Sequence, residues 1–199
     1  MAKILNWMSV EKKVRDSEIV LFTPVDLKRI LGVSKISVQF FLTRYTKKGA
    51  ITKLRRGLYA LSDRIPSEFE IANALLRPSY ISLTFALAYY HIIPEMTYVV
   101  TSVTTRPTYR FEILDREFRY HRIKKPAFTG YAPEKIGGKI VLIAEKEKAL
   151  VDYLYFVGRK VYPVNTRLDI SSLNKEKMHH YAELFHSANL EHMIKELYA

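Results

Sequence analysis

The chain has 199 residues, 48% of them apolar, carries a net charge of +12 and contains no cysteine. Such a composition buries a core and is not that of a disordered chain; its apolar runs fall far short of the roughly 20 residues of a membrane-spanning helix, and the lack of cysteine excludes disulfides, zinc fingers and thiol catalysis. Residues 1–62 hold thirteen Lys and Arg against four acids, a local +9, while the other 137 residues hold nineteen against sixteen, an asymmetry that points to a polyanionic partner, nucleic acid above all. No secretory leader is read in Met1-Ala2-Lys3-Ile4, and a cytoplasmic setting is expected.

In chain order, a first helix is expected over residues 2–15, with Ile4, Leu5, Met8 and Val14 among lysines. Glu18–Phe22 is a short apolar run, either a strand or an extension of that helix. Thr23-Pro24 starts a short second helix, a hydroxyl cap followed by proline at the first helical position. Its expected inner face is Val25, Leu27, Ile30 and Leu31, and Gly32 stops it. Ser34 caps a third helix over 35–48, whose Val38, Phe41, Leu42 and Tyr45 repeat at helical spacing. Ile51–Leu54 and Leu58–Leu61 flank Arg55-Arg56-Gly57, the pattern of a hairpin. Helix, short helix, turn, helix and basic hairpin make the winged variant of the helix-turn-helix.

Residues 62–66 read as a linker. Beyond it, helices are expected at 67–76 and 82–90, strands at 98–103, 109–114 and 116–123 with Asp115 at a hairpin turn, and a buried strand at 139–144 after Gly137-Gly138. A helix at 145–157 would turn Ala149, Leu150, Tyr153, Leu154 and Val157 to one side, and helices at 173–184 and 189–198 close the chain. The reading is α+β: a winged helix-turn-helix domain over residues 1–62, then an α+β domain over 67–199 with a small antiparallel sheet and C-terminal helices.

The second helix of a helix-turn-helix enters the major groove. With Val38, Phe41, Leu42 and Tyr45 turned inward, Lys35, Ser37, Gln39, Phe40, Thr43, Arg44 and Lys47 are left for double-stranded DNA. Gln39 suits an adenine edge, Arg44 a guanine or a phosphate, and Phe40 a thymine methyl. Lys47, Lys48 and Lys53 suit phosphates, and Arg55 and Arg56 the flanking backbone or minor groove. Thr23 and the amides after it offer a phosphate site at a helix start. RNA is the competing polyanion.

Catalytic patterns are weak. None of the six histidines pair at metal-binding helical spacing, and His179 with Glu183 lacks a further ligand. Glu145-Lys146-Glu147-Lys148 after a strand is close to the acid-x-lysine order of metal-dependent nucleases but does not match it; Asp115 or Glu117 would have to supply the other acid. Tyr89-Tyr90-His91 is a candidate partner surface. No cofactor or metal is expected, and the chain is expected to act by binding rather than catalysis.

Lys48-Gly49-Ala50-Ile51 and Arg55-Arg56-Gly57-Leu58-Tyr59-Ala60-Leu61 resemble the winged helix of AbiEi-type antitoxins, also described as transcriptional regulators of viral defence systems. Tyr80-Ile81-Ser82-Leu83 with Ala86-Leu87 resembles the helix after that family's linker, and residues 143–152, Ile-Ala-Glu-Lys-Glu-Lys-Ala-Leu-Val-Asp, a later helix. The resemblance runs over residues 20–157. It implies a type IV toxin–antitoxin system: repression of the operon through an inverted-repeat operator, a possible homodimer on that DNA, and a C-terminal domain that counters a nucleotidyltransferase-like toxin. A solitary regulator without a toxin, or a nuclease-like enzyme brought to DNA by the N-terminal domain, are the alternatives. Glu147, Lys148 and Asp152 have two readings, a surface facing an effector or toxin, or a structural helix turn with a Lys148–Asp152 pair.

Overall fold

A run of capped helix starts sets out the first part of the chain in the computed structural model, which describes residues 5–198. Asn6 accepts a hydrogen bond from the Met8 amide and starts helix α1, Trp7–Asp16. Residues 2–4 of the expected first helix lie outside the described residues. Strand β1, Leu21–Phe22, follows, so the ambiguous apolar run closes as a strand. Helix α2, Pro24–Leu31, is held at its start by a reciprocal capping box of Thr23 and Asp26, and Gly32 ends it at φ 64°. That left-handed conformation costs glycine nothing. Ser34 then caps helix α3, Lys35–Lys47, by accepting from the Ser37 amide. Strands β2, Ile51–Arg55, and β3, Leu58–Leu61, form a hairpin, and β1 pairs with the other side of β3 to give a three-stranded antiparallel sheet in the order β1-β3-β2.

Val10 and Val14 of α1, Leu27 of α2, Val38, Phe41 and Leu42 of α3 and Phe22, Ile51, Tyr59 and Leu61 of the sheet make one core. Trp7 covers it, 4.8 Å from the Tyr45 ring and 6.0 Å from the Phe41 ring. Each fully buried Val, Leu or Phe contributes about 1.5–3 kcal/mol relative to exposure. Val25, expected on the inner face of α2, is exposed, as is Met8 of α1, because only one face of each short helix meets its neighbours.

The chain divides into two compact units, residues 1–67 and 68–199. The second begins with α4, Glu68–Leu75, β4, Ser79–Ile81, and α5, Leu83–Tyr89. Strands β5, Val99–Thr104, β6, Tyr109–Ile113, β7, Arg116–Arg122, β8, Tyr131–Ile136, and β9, Lys139–Ala144, follow. Helices α6, Lys146–Gly158, α7, Lys175–Glu183, and α8, Ala188–Glu196, end it. The sheet order is β6-β7-β5-β4-β9-β8. β5 is parallel to β7 and β4 to β9, and the other pairs are antiparallel. The expected small antiparallel sheet is therefore a six-stranded mixed one. Two strands were missed. β4 has only three residues, and β8 carries Pro133, Glu134 and Lys135, which an edge strand tolerates.

Both hairpin tips use consecutive residues at positive φ, Leu114-Asp115 in one and Gly137-Gly138 in the other, the geometry that matches strand twist. The strand after Gly137-Gly138 is not buried throughout: Ile140 is exposed while Val141 and Ile143 are buried. Tyr120 of β7 donates to the Ala72 carbonyl of α4, while the next residue, His121, packs its ring 5.0 Å from Phe156 of α6. Side chains alternate across a strand, so α4 and α6 cover opposite faces of the sheet.

Candidate nucleic-acid interface

Helix α3 has two unlike faces. Val38, Phe41 and Leu42 are buried, while Lys35, Gln39, Phe40, Thr43, Arg44 and Lys47 are exposed. Ile36, Phe40, Thr43 and Lys47 follow one another at three- and four-residue steps, with Gln39 beside Phe40, three residues after Ile36 and four before Thr43, and together they form a single outward stripe. Ile36, 62% exposed, was absent from the sequence reading, although it precedes Phe40, 69% exposed, by one helical turn. Ile36 and Phe40 thus place two large apolar side chains in water, one turn apart, among the cations of α3. Arg44 and Lys48 both lie over the Tyr45 ring, at 5.7 and 5.6 Å, which gathers positive charge around the far end of α3.

Ser37 is a correction. It is 5% exposed, its hydroxyl lies 3.0 Å from that of Ser34, and its amide is taken by the cap. At the third helical position its side chain turns back to the helix start and not outward. Thr23 is a second correction. Its hydroxyl receives the Asp26 amide and donates to the Asp26 carboxylate at 2.7 Å, and the same carboxylate accepts the Thr23 amide at 2.9 Å. A carboxylate already sits where a phosphate was expected.

The hairpin between β2 and β3 turns at Arg56-Gly57, with Arg55 opposite Leu58, an irregular register after Lys53, and Gly57 at φ 80°. Arg56 and Lys53 are exposed. Arg55 is half-buried and donates from Nη1 to the Arg56 carbonyl at 3.0 Å, which folds it along the turn. Its Nε has no hydrogen-bond partner among the described residues. In α1, by contrast, Arg15 is engaged by Glu11 at 2.8 Å and by Asp63, contacts that raise its pKa. The exposed cations of this unit include those of α3, Lys53 and Arg56 of the hairpin, and Lys12, Lys13 and Lys28, with Arg29 exposed but beside Asp26 at 3.5 Å.

The candidate residues of the second unit are placed differently. Glu147, Lys148 and Asp152 are buried, the last two completely, so the surface facing a toxin or effector is not there. The Lys148 ammonium meets Asp152 Oδ1, while Ser82 and Tyr80 donate to Oδ2 at 2.7 and 3.1 Å. Lys148 also lies over the rings of Phe185 and Tyr80, at 5.0 and 5.6 Å. Burial pushes Asp152 up and Lys148 down, and their mutual attraction opposes both shifts. Glu147 accepts the Asn174 amide, and Glu145 binds Lys177 and Tyr181. Asp115 lies at a hairpin turn, and Glu117 is held by Arg119. Among the described residues no three His, Asp or Glu side chains gather as a metal site would require. Tyr89 and Tyr90 both donate to Glu134, at 2.8 and 3.1 Å, and are tied down by these bonds, while His91 is exposed. No helix among the described residues is long and apolar enough to cross a membrane.

Residues 11–62 match the family model of the transcriptional regulator AbiEi antitoxin. The AbiEi match covers most of α1 and all of β1, α2, α3, β2 and β3, and so takes in both the outward stripe of α3 and the basic hairpin. The resemblance read from the arginine–glycine hairpin is thus shown for this segment, and it begins earlier than residue 20. The segment Tyr80-Ile81-Ser82-Leu83, which resembled an AbiEi helix, is instead strand β4 turning into α5. No curated protein matches the chain.

Proposed function

We propose that the first unit is a winged helix-turn-helix that binds double-stranded DNA, and that the protein is a transcriptional regulator of the AbiEi antitoxin kind, acting by binding and not by catalysis. The observation that carries this reading is the outward stripe of α3 beside an arginine hairpin, within the segment that matches the AbiEi model. Helix α3 enters the major groove, which is about 12 Å wide and admits one helix. Gln39 meets an adenine edge, Phe40 and Ile36 meet thymine methyls, and Arg44 meets a guanine or a phosphate. Lys35, Lys47, Lys53 and Arg56 neutralise phosphates on either side. Two copies on an inverted repeat would double these contacts. We further propose autorepression and, through the second unit, neutralisation of a toxin, a reading taken from the description of the family that residues 11–62 match.

Fluorescence anisotropy tests the DNA reading. The full chain is titrated onto labelled duplex from its own upstream region and onto a scrambled duplex, at several salt concentrations. Tighter binding to the upstream duplex and a steep loss of affinity with salt are expected. No binding at low salt overturns the reading. Growth on co-expression with a neighbouring nucleotidyltransferase-like gene product tests the antitoxin role.

A further inference from the structure

The second unit contains a cavity of about 540 Å³, on the side of the sheet that α6 covers. That volume lies within the range of about 300–1,000 Å³ typical of small-molecule sites. Its walls are Val99 and Thr101 of β5, Arg119 of β7, Tyr153 of α6, and the segments 93–98 and 162–167. Three tyrosines, Tyr98, Tyr153 and Tyr162, line it beside the aliphatic Ile93, Val99 and Val164. Such rings offer a large rigid face to a flat ligand.

The polar groups on the walls are not equivalent. Thr101 is spent, donating to the Ser82 carbonyl at 2.7 Å and accepting from the Phe85 amide at 3.0 Å. Glu95 is clasped by Arg167 and by Asn165 at 3.2 Å, which ties segment 93–98 to segment 162–167 and leaves the carboxylate satisfied. Tyr162 and His121 share a hydrogen bond of 2.8 Å. Burial pulls His121 down to about 4 and pushes Tyr162 up to about 12, so neither is charged near neutrality. Arg119 differs. Its Nε and Nη2 both contact a single oxygen of Glu117, at 2.9 and 2.7 Å. That contact uses two of the five donors of a guanidinium, and Arg119 also interacts with the Tyr162 side chain. Each wall arginine thus has a glutamate beside it, Arg167 beside Glu95 and Arg119 beside Glu117, and Arg119 still has guanidinium donors beyond its Glu117 and Tyr162 contacts for an incoming acid group.

The backbone beside the cavity is strained as well. Leu83, fully buried, has φ 60° and directly precedes Thr84, which lines the cavity. A bulky residue in that conformation is uncommon, and such residues gather where ligands bind.

We infer that this cavity binds a small aromatic acid, with the ring against the tyrosines and the carboxylate or sulfonate on Arg119. An arginine fork matches the planar geometry of such an acid group. The inference is independent of the DNA reading.

Anilinonaphthalene sulfonate, whose fluorescence rises in apolar sites, is the probe. It is titrated into the full chain, then displaced with naphthoate or with the neutral naphthalene methanol. Saturable binding of about one probe per chain is expected, with naphthoate displacing it at least about tenfold better than the alcohol. Arg119→Gln is expected to erase that preference. Val164→Trp, at an exposed position of the rim, fills the cavity and is expected to abolish probe binding without disturbing the fold, which circular dichroism checks. Equal displacement by acid and alcohol, fluorescence unmoved by Val164→Trp, or no saturable binding each overturns the inference.

Discussion

Helices α3 and α6 are both thirteen residues long, and both start with a lysine, yet they use charge in opposite ways. In α3 one face is buried, and every Lys and Arg of the helix is left in water. In α6 every residue from Glu147 to Val157 is buried, and a lysine and an aspartate one turn apart are locked together inside. The difference lies in the surroundings. The inner face of α3 packs on one small core, whereas α6 is packed against α5, α7 and α8 and lies beside β9. A lysine is a contact for a partner in the first case and part of the core in the second.

The largest expected effect comes from α6. Asp152→Ala leaves Lys148 buried without its counter-ion and strands the Ser82 and Tyr80 hydroxyls, and is expected to destabilise the second unit by about 3–5 kcal/mol, read from the urea midpoint. The double variant Lys148→Met with Asp152→Leu is expected to lose less than Asp152→Ala alone, because no unpaired charge is buried. A parent-like Asp152→Ala protein would break the contrast with α3.

On α3 the effects fall on binding and not on folding. Gln39→Ala is expected to weaken binding to the upstream duplex by about 1–3 kcal/mol and to change stability by no more than about 0.5 kcal/mol, since the side chain is exposed. Anisotropy and thermal melting of the same preparation check both. Loss of stability with DNA binding intact would place Gln39 with the residues of α6.

His121 sharpens the contrast through pH. Burial first, and Arg119 second, lower it from the ordinary 6.5 to about 4. Between those values the unfolded chain binds a proton that the folded chain refuses. The stability it contributes is full above pH 6.5 and is lost as the pH falls toward about 4. Tm measured across that window is expected to fall more steeply for the parent than for His121→Gln. The smallest effect belongs to the hairpin. Arg56→Ala is expected to reduce the slope of log affinity against log salt by about one, without changing preference among sequences.

Much of the first unit was legible in the sequence because its signals are local. Thr23-Pro24, Gly32 and Ser34 mark helix ends by hydrogen bonds that close within four residues, and Val38, Phe41 and Leu42 announce a buried face by spacing alone. Thr23 was misplaced because a cap and a phosphate ligand demand the same residue types, and Ser37 because its side chain turns back to the Ser34 cap instead of outward. Local geometry separates them, and Asp26 decided the case for Thr23.

The second unit was less legible because its decisive contacts are distant in sequence. Tyr80, Ser82 and Asp152 meet across about seventy residues, and the parallel pairings of β4 with β9 and β5 with β7 have no local signature. The sequence by itself determined the capped helices, the basic hairpin and the concentration of charge in the first sixty residues, since propensity, capping and charge are properties of neighbouring residues. Only the tertiary structure decided that Lys148 is inside while Lys47 is outside, because burial depends on how many elements surround a helix, and no local pattern records that number.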